Sequence, residues 1–417
     1  MADTLERPSP KNSTSLDPIK EAFLAAAGRT MDDACTSPAA AYTDLAFWEW
    51  EVEHIFKQEW NCLAHVSQIP MPGDYINVEL LGEPLIVVRG KDNGVSVLSR
   101  VCQHRAMDIM PADYGYAERG NARLFMCPYH SWTYELDGKL KAAPEMQKTQ
   151  NFCRGDYGLK TFRSEVWEGY VFVTFNDDAE SVTSQLADLQ KDVAGWSMGD
   201  MVVATEVNWT CKFNWKVLIE NWMEPYHHMG IHIKTLQPML PAKGCWTEPF
   251  HPHYTRAHLP LRQSLVEAAE KTLAAGGKPD GLLPIAGVPD EFKNEWTVHV
   301  GFPTYMMLTA PSLVLWYRLL PIGPELCHLT TAILVTREAM EELDYAEGLA
   351  KQKQVLVDFH LEDMQVCEAV QRGLHSRAFT QGQLSYLEEP LLCIQKYIAG
   401  RIEAERAAPC TPNPGGG

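Results

Sequence analysis

From Tyr42 to Phe56, the apolar and aromatic residues Leu45, Trp48, Val52, Ile55 and Phe56 recur at helical spacing with acidic residues between them, which predicts an amphipathic helix. The period then shortens. Residues 75–80, 85–89 and 95–99 are runs of Ile, Val and Leu, and Asn93-Gly94 has the composition of a tight hairpin turn, so short antiparallel strands are expected. Val166–Phe175 predicts a further strand that closes this sheet. After Asp177 the pattern predicts a short helical stretch, a strand-like run near Met201–Asn208 and a helix carrying Trp215 to Tyr226. The Pro/Gly-rich segment Lys243–Pro289 predicts loops and a short helix at 261–275. Three strands at 302–308, 313–320 and 326–335 and a long helix from Glu338 to Leu374 complete the pattern.

The fold class expected from this order is α+β. Residues 42–175 form a small antiparallel β domain with its preceding helix, and residues 176–405 form a larger domain whose antiparallel sheet is covered by helices. An N-terminal segment, 1–41, is expected to be partly disordered, and a tail, 406–417, disordered.

Composition narrows the class. Thirty-six Lys and Arg against 54 Asp and Glu give a formal charge of −18, which repels phosphate backbones and argues against nucleic acid or an anionic membrane as partner. No run approaches the ~18 consecutive apolar residues of a membrane span, and Met1–Pro18 is polar, so a cytoplasmic protein is expected. The 11 cysteines lack the spacing of a disulfide framework.

Two pairs of residues stand out chemically. Cys102-Gln-His104 and Cys127-Pro-Tyr-His130 each offer one thiolate and one imidazole. A Rieske [2Fe-2S] cluster needs two sulfurs on one iron and two imidazoles on the other, and two mixed loops supply them. Structural zinc sites usually present like ligands close together, so a zinc-organised binding protein is the weaker reading.

A second constellation lies in Glu220-Asn-Trp-Met-Glu224-Pro-Tyr-His227-His228-Met-Gly-Ile-His232. Two imidazoles and a carboxylate with open positions suit a non-haem Fe(II) that activates O2. Spacing leaves the pair open: His228 and His232 share a helix face, whereas His227 and His232 stand about 140° apart on an ideal helix unless Gly230 breaks it. For the carboxylate, Leu356, Phe359, Asp363, Val366 and Val370 form a stripe that places Asp363 among apolar neighbours, where it is costly unless paired or metal-bound. Glu362 and His360 are its rivals. Glu224, three residues before His227, is placed to accept that ring's other N–H.

Together these residues resemble the terminal oxygenase (α) subunit of the Rieske non-haem iron oxygenases, within the aromatic-ring-hydroxylating dioxygenase superfamily, from about Tyr42 to Ile402. The resemblance is most specific over Cys102–Arg105, Cys127–Leu140, Asn214–His232 and Glu362–Leu374. It implies a helix-grip (START-like) second domain. It also implies cluster ligands Cys102, His104, Cys127 and His130, iron ligands His227, His232 and Asp363, and Glu224 as the electron-transfer bridge to the cluster of a neighbouring subunit, at its His130, in a homotrimer. His228 is left as a pocket residue or a support for the ligands. Ala106 stands where the family commonly has glycine, and the bridging acid is Glu rather than the Asp of the ring-hydroxylating dioxygenases, as in the carnitine and betaine oxygenases.

The function implied is oxygen insertion from O2 into a small organic substrate, by ring hydroxylation or N-/O-dealkylating monooxygenation. A separate NAD(P)H-dependent reductase, with or without a ferredoxin, would supply the electrons. The chain has no Gly-x-Gly-x-x-Gly after a strand and no four-Cys ferredoxin spacing with which to take hydride itself. A quaternary ammonium monooxygenase and a pure Rieske electron carrier are the alternatives. Expected pocket residues are Met223, Met229 and Trp246 near the iron helix and Phe302, Tyr305, Leu315 and Tyr317 on the sheet, since aromatic faces hold either a ring or a quaternary ammonium.

Overall fold

The computed structural model describes residues 16–407. The expected disorder of residues 1–15 and 408–417 concerns positions outside that range.

The first domain holds β1 (Asn61–His65), β2 (Asp74–Leu80), β3 (Glu83–Arg89), β4 (Val95–Ser99), β5 (Arg119–Asn121), β6 (Phe125–Met126), β7 (Thr133–Tyr134), β8 (Leu140–Ala142), β9 (Thr161–Trp167) and β10 (Tyr170–Thr174). Seven form one antiparallel sheet in the order β1-β10-β9-β4-β3-β2-β5, and β6-β7-β8 form a second, smaller one. Val166–Phe175 is not a single strand. Glu168 and Gly169 both have positive φ (47° and 82°), so the chain reverses there and Tyr170 pairs back onto Trp167.

The second domain is built on β11 (Val202–Cys211), β12 (Trp246–Thr247), β13 (Tyr254–Pro260), β14 (Glu295–Gly301), β15 (Tyr305–Thr309), β16 (Val314–Gly323) and β17 (Leu326–Val335), in the order β11-β17-β16-β15-β14-β13-β12. β13 lies inside the segment expected to be loops, and β14 had no strand assigned. Both faces of this sheet are covered, so no clean polar/apolar alternation survives. Arg256 and His258 are buried in β13 only because they are paired, with Asp192 and Glu248 for the arginine and Glu295 and Glu248 for the histidine.

Among the described residues ten α-helices accompany the sheets: α1 (Leu16–Ala27), α2 (Ala40–Thr43), α3 (Leu45–Glu51), α4 (Val182–Gln185), α5 (Ala187–Val193), α6 (Trp215–Met223), α7 (Gln263–Ala274), α8 (Arg337–Met340), α9 (Tyr345–Leu374) and α10 (Glu389–Ala407). The expected helix from Tyr42 is divided, because Asp44 adopts an extended conformation and caps α3 by accepting from the N–H groups of Ala46 and Phe47. A π turn, Val52–Phe56, continues it. The expected helix from Glu338 is likewise interrupted between α8 and α9. Within the segment 1–41, α1 is ordered: Ile19, Phe23, Ala26 and Ala27 are buried on a helix that packs against α10. Arg406 and Ala407 belong to α10 rather than to the tail.

One face of the second sheet (Leu259, Val298, Leu308, Leu315, Tyr317) packs under α3, α6, α9 and α10 in the largest core. The other (Tyr254, Tyr305, Met307, Trp316) meets Trp167, Tyr170 and Phe172 of the first domain, with Tyr170 and Phe172 each 5.1 Å from the Tyr305 ring. On the helical side, Lys216 of α6 and Glu51 of α3 form a fully buried ion pair at 2.6 Å, which ties the opening helices to the helix leading into the His-rich segment.

Candidate functional site

In the first domain, the two Cys/His loops adopt the same turn. Ala106 N–H donates to Cys102 O and Ser131 N–H to Cys127 O, both at 3.0 Å, and Ala106 and Ser131 have φ of 56° and 57°. This left-handed backbone explains why glycine suits position 106; alanine accepts it at a small steric cost. Cys102 and Cys127 are buried and adjoin each other, and burial pushes the Cys127 thiol up. The two imidazoles lie 4.5 Å apart between ring centres, nearer the surface, with His130 exposed. Trp132 stacks flat on His104 at 4.8 Å. His104 Nδ1 is buried without any hydrogen-bond partner, a vacancy in polar contact that a metal bond satisfies. The donor set therefore fits a [2Fe-2S] cluster.

Tyr134 OH lies 3.1 Å from Cys102 Sγ while accepting from Gln103 N–H at 3.2 Å, so its own proton is directed at the sulfur. A donor to a cluster sulfur stabilises the more negative reduced state. Tyr134→Phe is expected to lower the midpoint potential by about 20–60 mV, the one-electron equivalent of a net hydrogen bond. Redox titration followed by paramagnetic resonance measures it, and an unchanged potential would show that this hydroxyl does not act on the cluster.

In the second domain, α6 begins at Asn214, whose side chain accepts from Lys216 N–H, and stops at Met223. Pro225 disfavours a helical conformation in the residue before it, and Glu224 is extended (φ −100°, ψ 137°). The expected helix through Tyr226 is thus shorter, and the break lies at Glu224-Pro225 rather than at Gly230. Tyr226–Met229 follows as a 3-10 turn, so the ideal-helix angles do not govern which histidines converge.

His227, His232 and Asp363 are brought together: one donor atom from each lies within 4.8 Å of the others, the one such group among the described residues. Asp363 Oδ1 is 3.0 Å from His232 Nε2 and 3.6 Å from His227 Nε2. The outer nitrogens are held by carboxylates, His227 Nδ1 by Glu224 Oε1 and His232 Nδ1 by Glu362 Oε2, both at 2.7 Å. Each Nδ1 is turned outward to a carboxylate, which aims both Nε2 atoms at the Asp363 oxygen, the side from which a shared cation would be held. Burial alone would raise the Asp363 carboxyl, but the His232 hydrogen bond and the neighbouring His227 hold it below the usual range. Burial lowers His227, and the Glu224 hydrogen bond and charge outweigh it. The donors fit a divalent metal with open positions.

The rivals fall elsewhere. Glu362 holds His232, and His360 is packed against Trp209, its ring nitrogen 3.4 Å from Tyr317 OH and its pKa pushed by burial down to about 4. The buried stripe of α9 runs Leu356, Phe359, Asp363, Cys367, Gln371 and Leu374; of the two valines expected in it, Val366 is half-buried beside the stripe and Val370 is exposed. Asn221, which donates to Asp363 Oδ1 at 2.9 Å, was not anticipated.

A cavity adjoins the three donors. Its walls are Trp222, Leu236, Leu240, Leu259, Trp296, Val298, Leu308 and Phe359, with Asn221 and His228 as further polar residues. None of the seven expected pocket residues lines it. Leu315 and Tyr317 are on the right face but one or two strands away, and Tyr305 is on the opposite face. Phe302 stacks on Tyr397, Trp246 stacks on His258 at the exposed sheet edge, Met223 is in the core and Met229 is at the surface. Phe359, one helical turn before Asp363, was the legible member; Trp296 and Val298 were hidden because β14 was not recognised.

Residues 192–404, just over half of the chain, match the family model for the ring hydroxylating alpha subunit (catalytic domain), and residues 59–162 match the Rieske [2Fe-2S] domain. The chain belongs to the ring-hydroxylating alpha-subunit family. It is an iron-dependent oxygenase, an oxidoreductase with a Rieske [2Fe-2S] cluster in its first domain and a mononuclear iron site in its second. Curated relatives include the glycine betaine monooxygenase oxygenase subunit of Chromohalobacter salexigens, 29% identical over 84% of this chain and 81% of that protein. The carnitine monooxygenase oxygenase subunit of Acinetobacter pittii is 28% identical over 85% and 89%. A solved quaternary ammonium Rieske monooxygenase superposes with a TM-score of 0.74 at 26% identity, covering 91% of this chain and 98% of the other. Naphthalene 1,2-dioxygenase from Rhodococcus sp. shares the fold, with a TM-score of 0.74 at 21% identity over 94% and 99%.

Proposed function

We propose that this oxygenase subunit monooxygenates a small quaternary ammonium compound, with electrons delivered by a separate NAD(P)H-dependent reductase, directly or through a ferredoxin. The observation that carries this reading is the cavity itself: a three-donor metal site at its base and three aromatic side chains, Trp222, Trp296 and Phe359, in its walls. Aromatic faces attract a cation that has no N–H to donate. The relatives named for glycine betaine, carnitine and choline support it. Aromatic-ring hydroxylation is the second reading, favoured by the leucines and valine of the same walls.

In this reading His227, His232 and Asp363 hold iron, and Cys102, His104, Cys127 and His130 hold the cluster. Iron held there would supply O2 activation, the overall reaction placing one oxygen atom in a C–H bond and releasing the other as water at the expense of two electrons and two protons. The chain's own residues do the rest. Glu224 and Glu362 fix the imidazole tautomers, Asn221 orients Asp363, and the apolar walls keep bulk water from the metal.

We further infer a homotrimer in which Glu224 meets His130 of the next subunit. Exposed Met126 and Tyr129 flank His130, and exposed Tyr226, Met229 and Ile233 flank the Glu224 side of the iron site, two apolar surfaces suited to a head-to-tail contact. A related solved structure is described in terms of inter-subunit electron transfer. A cytoplasmic setting is consistent with the described cysteines, all of which are free. Among the described residues no helix is long and apolar enough to cross a membrane.

The test is O2 uptake by the reconstituted protein and a reductase across a panel of quaternary ammonium compounds and arenes. One-to-one coupling of uptake to aldehyde release from an ammonium is expected. Coupling confined to an arene selects the second reading, and substrate-independent cluster oxidation alone would leave only an electron carrier.

A further inference from the structure

One imidazole in the cavity has no part in holding metal. His228 is 3% exposed and lines the cavity with its ring centre 5.1 Å from that of His227 and 5.6 Å from that of His232, yet it stands outside the three-donor group. Its Nδ1 is 2.9 Å from the carbonyl oxygen of Leu240. A carbonyl only accepts, so Nδ1 carries the proton and, in the neutral ring, Nε2 is a bare acceptor.

No hydrogen bond within the described residues uses Nε2, and it is absent from the fully covered, unpartnered atoms, which leaves it facing the cavity. Of the other polar groups there, an Asn221 N–H donates to Asp363, Asp363 faces both histidines, and the Trp222 indole N–H is covered and has no partner. No Lys or Arg lines the cavity, so an anionic group of a substrate finds no cationic partner in it.

Resting on the oxygenase reading above, we propose that His228 is a specificity-determining residue whose Nε2 accepts a hydrogen bond from an O–H or N–H of the substrate. The substrate class is then an apolar or cationic skeleton that carries one hydrogen-bond donor, as a hydroxylated ammonium or a phenol does. A skeleton lacking the donor leaves a buried acceptor unpaired and is rejected by at least about tenfold. The bond also turns the donor-bearing end toward His228 and presents the remainder of the skeleton to the metal.

The experiment compares hydroxylated probes with their deoxy twins, choline with ethyltrimethylammonium and p-cresol with toluene, by anaerobic titration calorimetry on the iron- and cluster-loaded protein. The hydroxylated member of at least one pair is expected to bind tenfold or more tightly. H228L is expected to abolish that preference with iron content and reduced-cluster spectrum unchanged, and H228Q, which keeps an acceptor, to restore part of it. Twins of equal affinity, or no binding of either hydroxylated probe, would overturn the assignment. Loss of iron from both variants would also overturn it, making His228 a part of the metal site. Wild-type protein without bound ferrous iron would instead overturn the oxygenase reading; full iron with equal twins removes only the role of His228.

Discussion

Asp363→Ala is expected to abolish oxygenation and to lower affinity for the mononuclear iron by more than about a hundredfold, the upper end of what losing even an outer partner of a metal ligand costs. The reason is geometric: Asp363 Oδ1 is the anionic corner of the three-donor group, and nothing else nearby replaces it. Glu362 is occupied with His232 Nδ1, and His360 lies behind Tyr317. Cys102 and Cys127 lie in loops of the first domain and in a different core, so the cluster should be untouched. Iron analysis, the visible spectrum and product formation are measured on the same preparation. Retained iron and turnover would remove Asp363 from the ligand set.

Glu224→Gln separates two duties of one side chain. As a support, Glu224 accepts from His227 Nδ1–H, and a glutamine carbonyl still accepts there, so iron should be retained. As the proposed bridge, its carboxylate would link His227 to His130 of the next subunit by hydrogen bonds at both ends, and a neutral amide would couple the two rings less well. Single-turnover reoxidation of the reduced cluster, with substrate and O2 present, is expected to slow by about 10- to 100-fold at unchanged iron content, the range for a partner of a metal-bound imidazole. Fast reoxidation would exclude the bridge, and loss of iron would assign Glu224 a purely supporting role.

The two experiments act on residues of unequal legibility. Asp363 stood out because a carboxylate in an apolar helical stripe demands a reason, and the structure places it buried on the face of α9 that meets α6. The stripe itself was drawn with the wrong downstream members, because steps of three and four tolerate a drift of one residue over two turns, which moved Val366 and Val370 inside in place of Cys367 and Gln371. Glu224 was placed by its spacing from His227, but the route differs from the one expected. They meet because Pro225 ends the helix and the next turn folds His227 back, not because they share a helix face.

Donor chemistry was written in the chain because each Cys/His loop spans only three or four residues and local backbone turns fix its geometry; the same holds for the apolar runs of β2, β3 and β4, each of which pairs with its sequence neighbour. What surrounds the iron site is decided by contacts across more than a hundred positions. The cavity takes Trp222 from one helix, Phe359 from another, and Trp296, Val298 and Leu308 from two strands whose inward parity exists only once they pair. Leaving one strand unassigned therefore lost a whole wall, and seven plausible aromatic and apolar residues were chosen in its place. Tertiary structure alone decided which faces the sheet offers to the metal and which it buries against the first domain, because a buried side chain looks the same in sequence from either side.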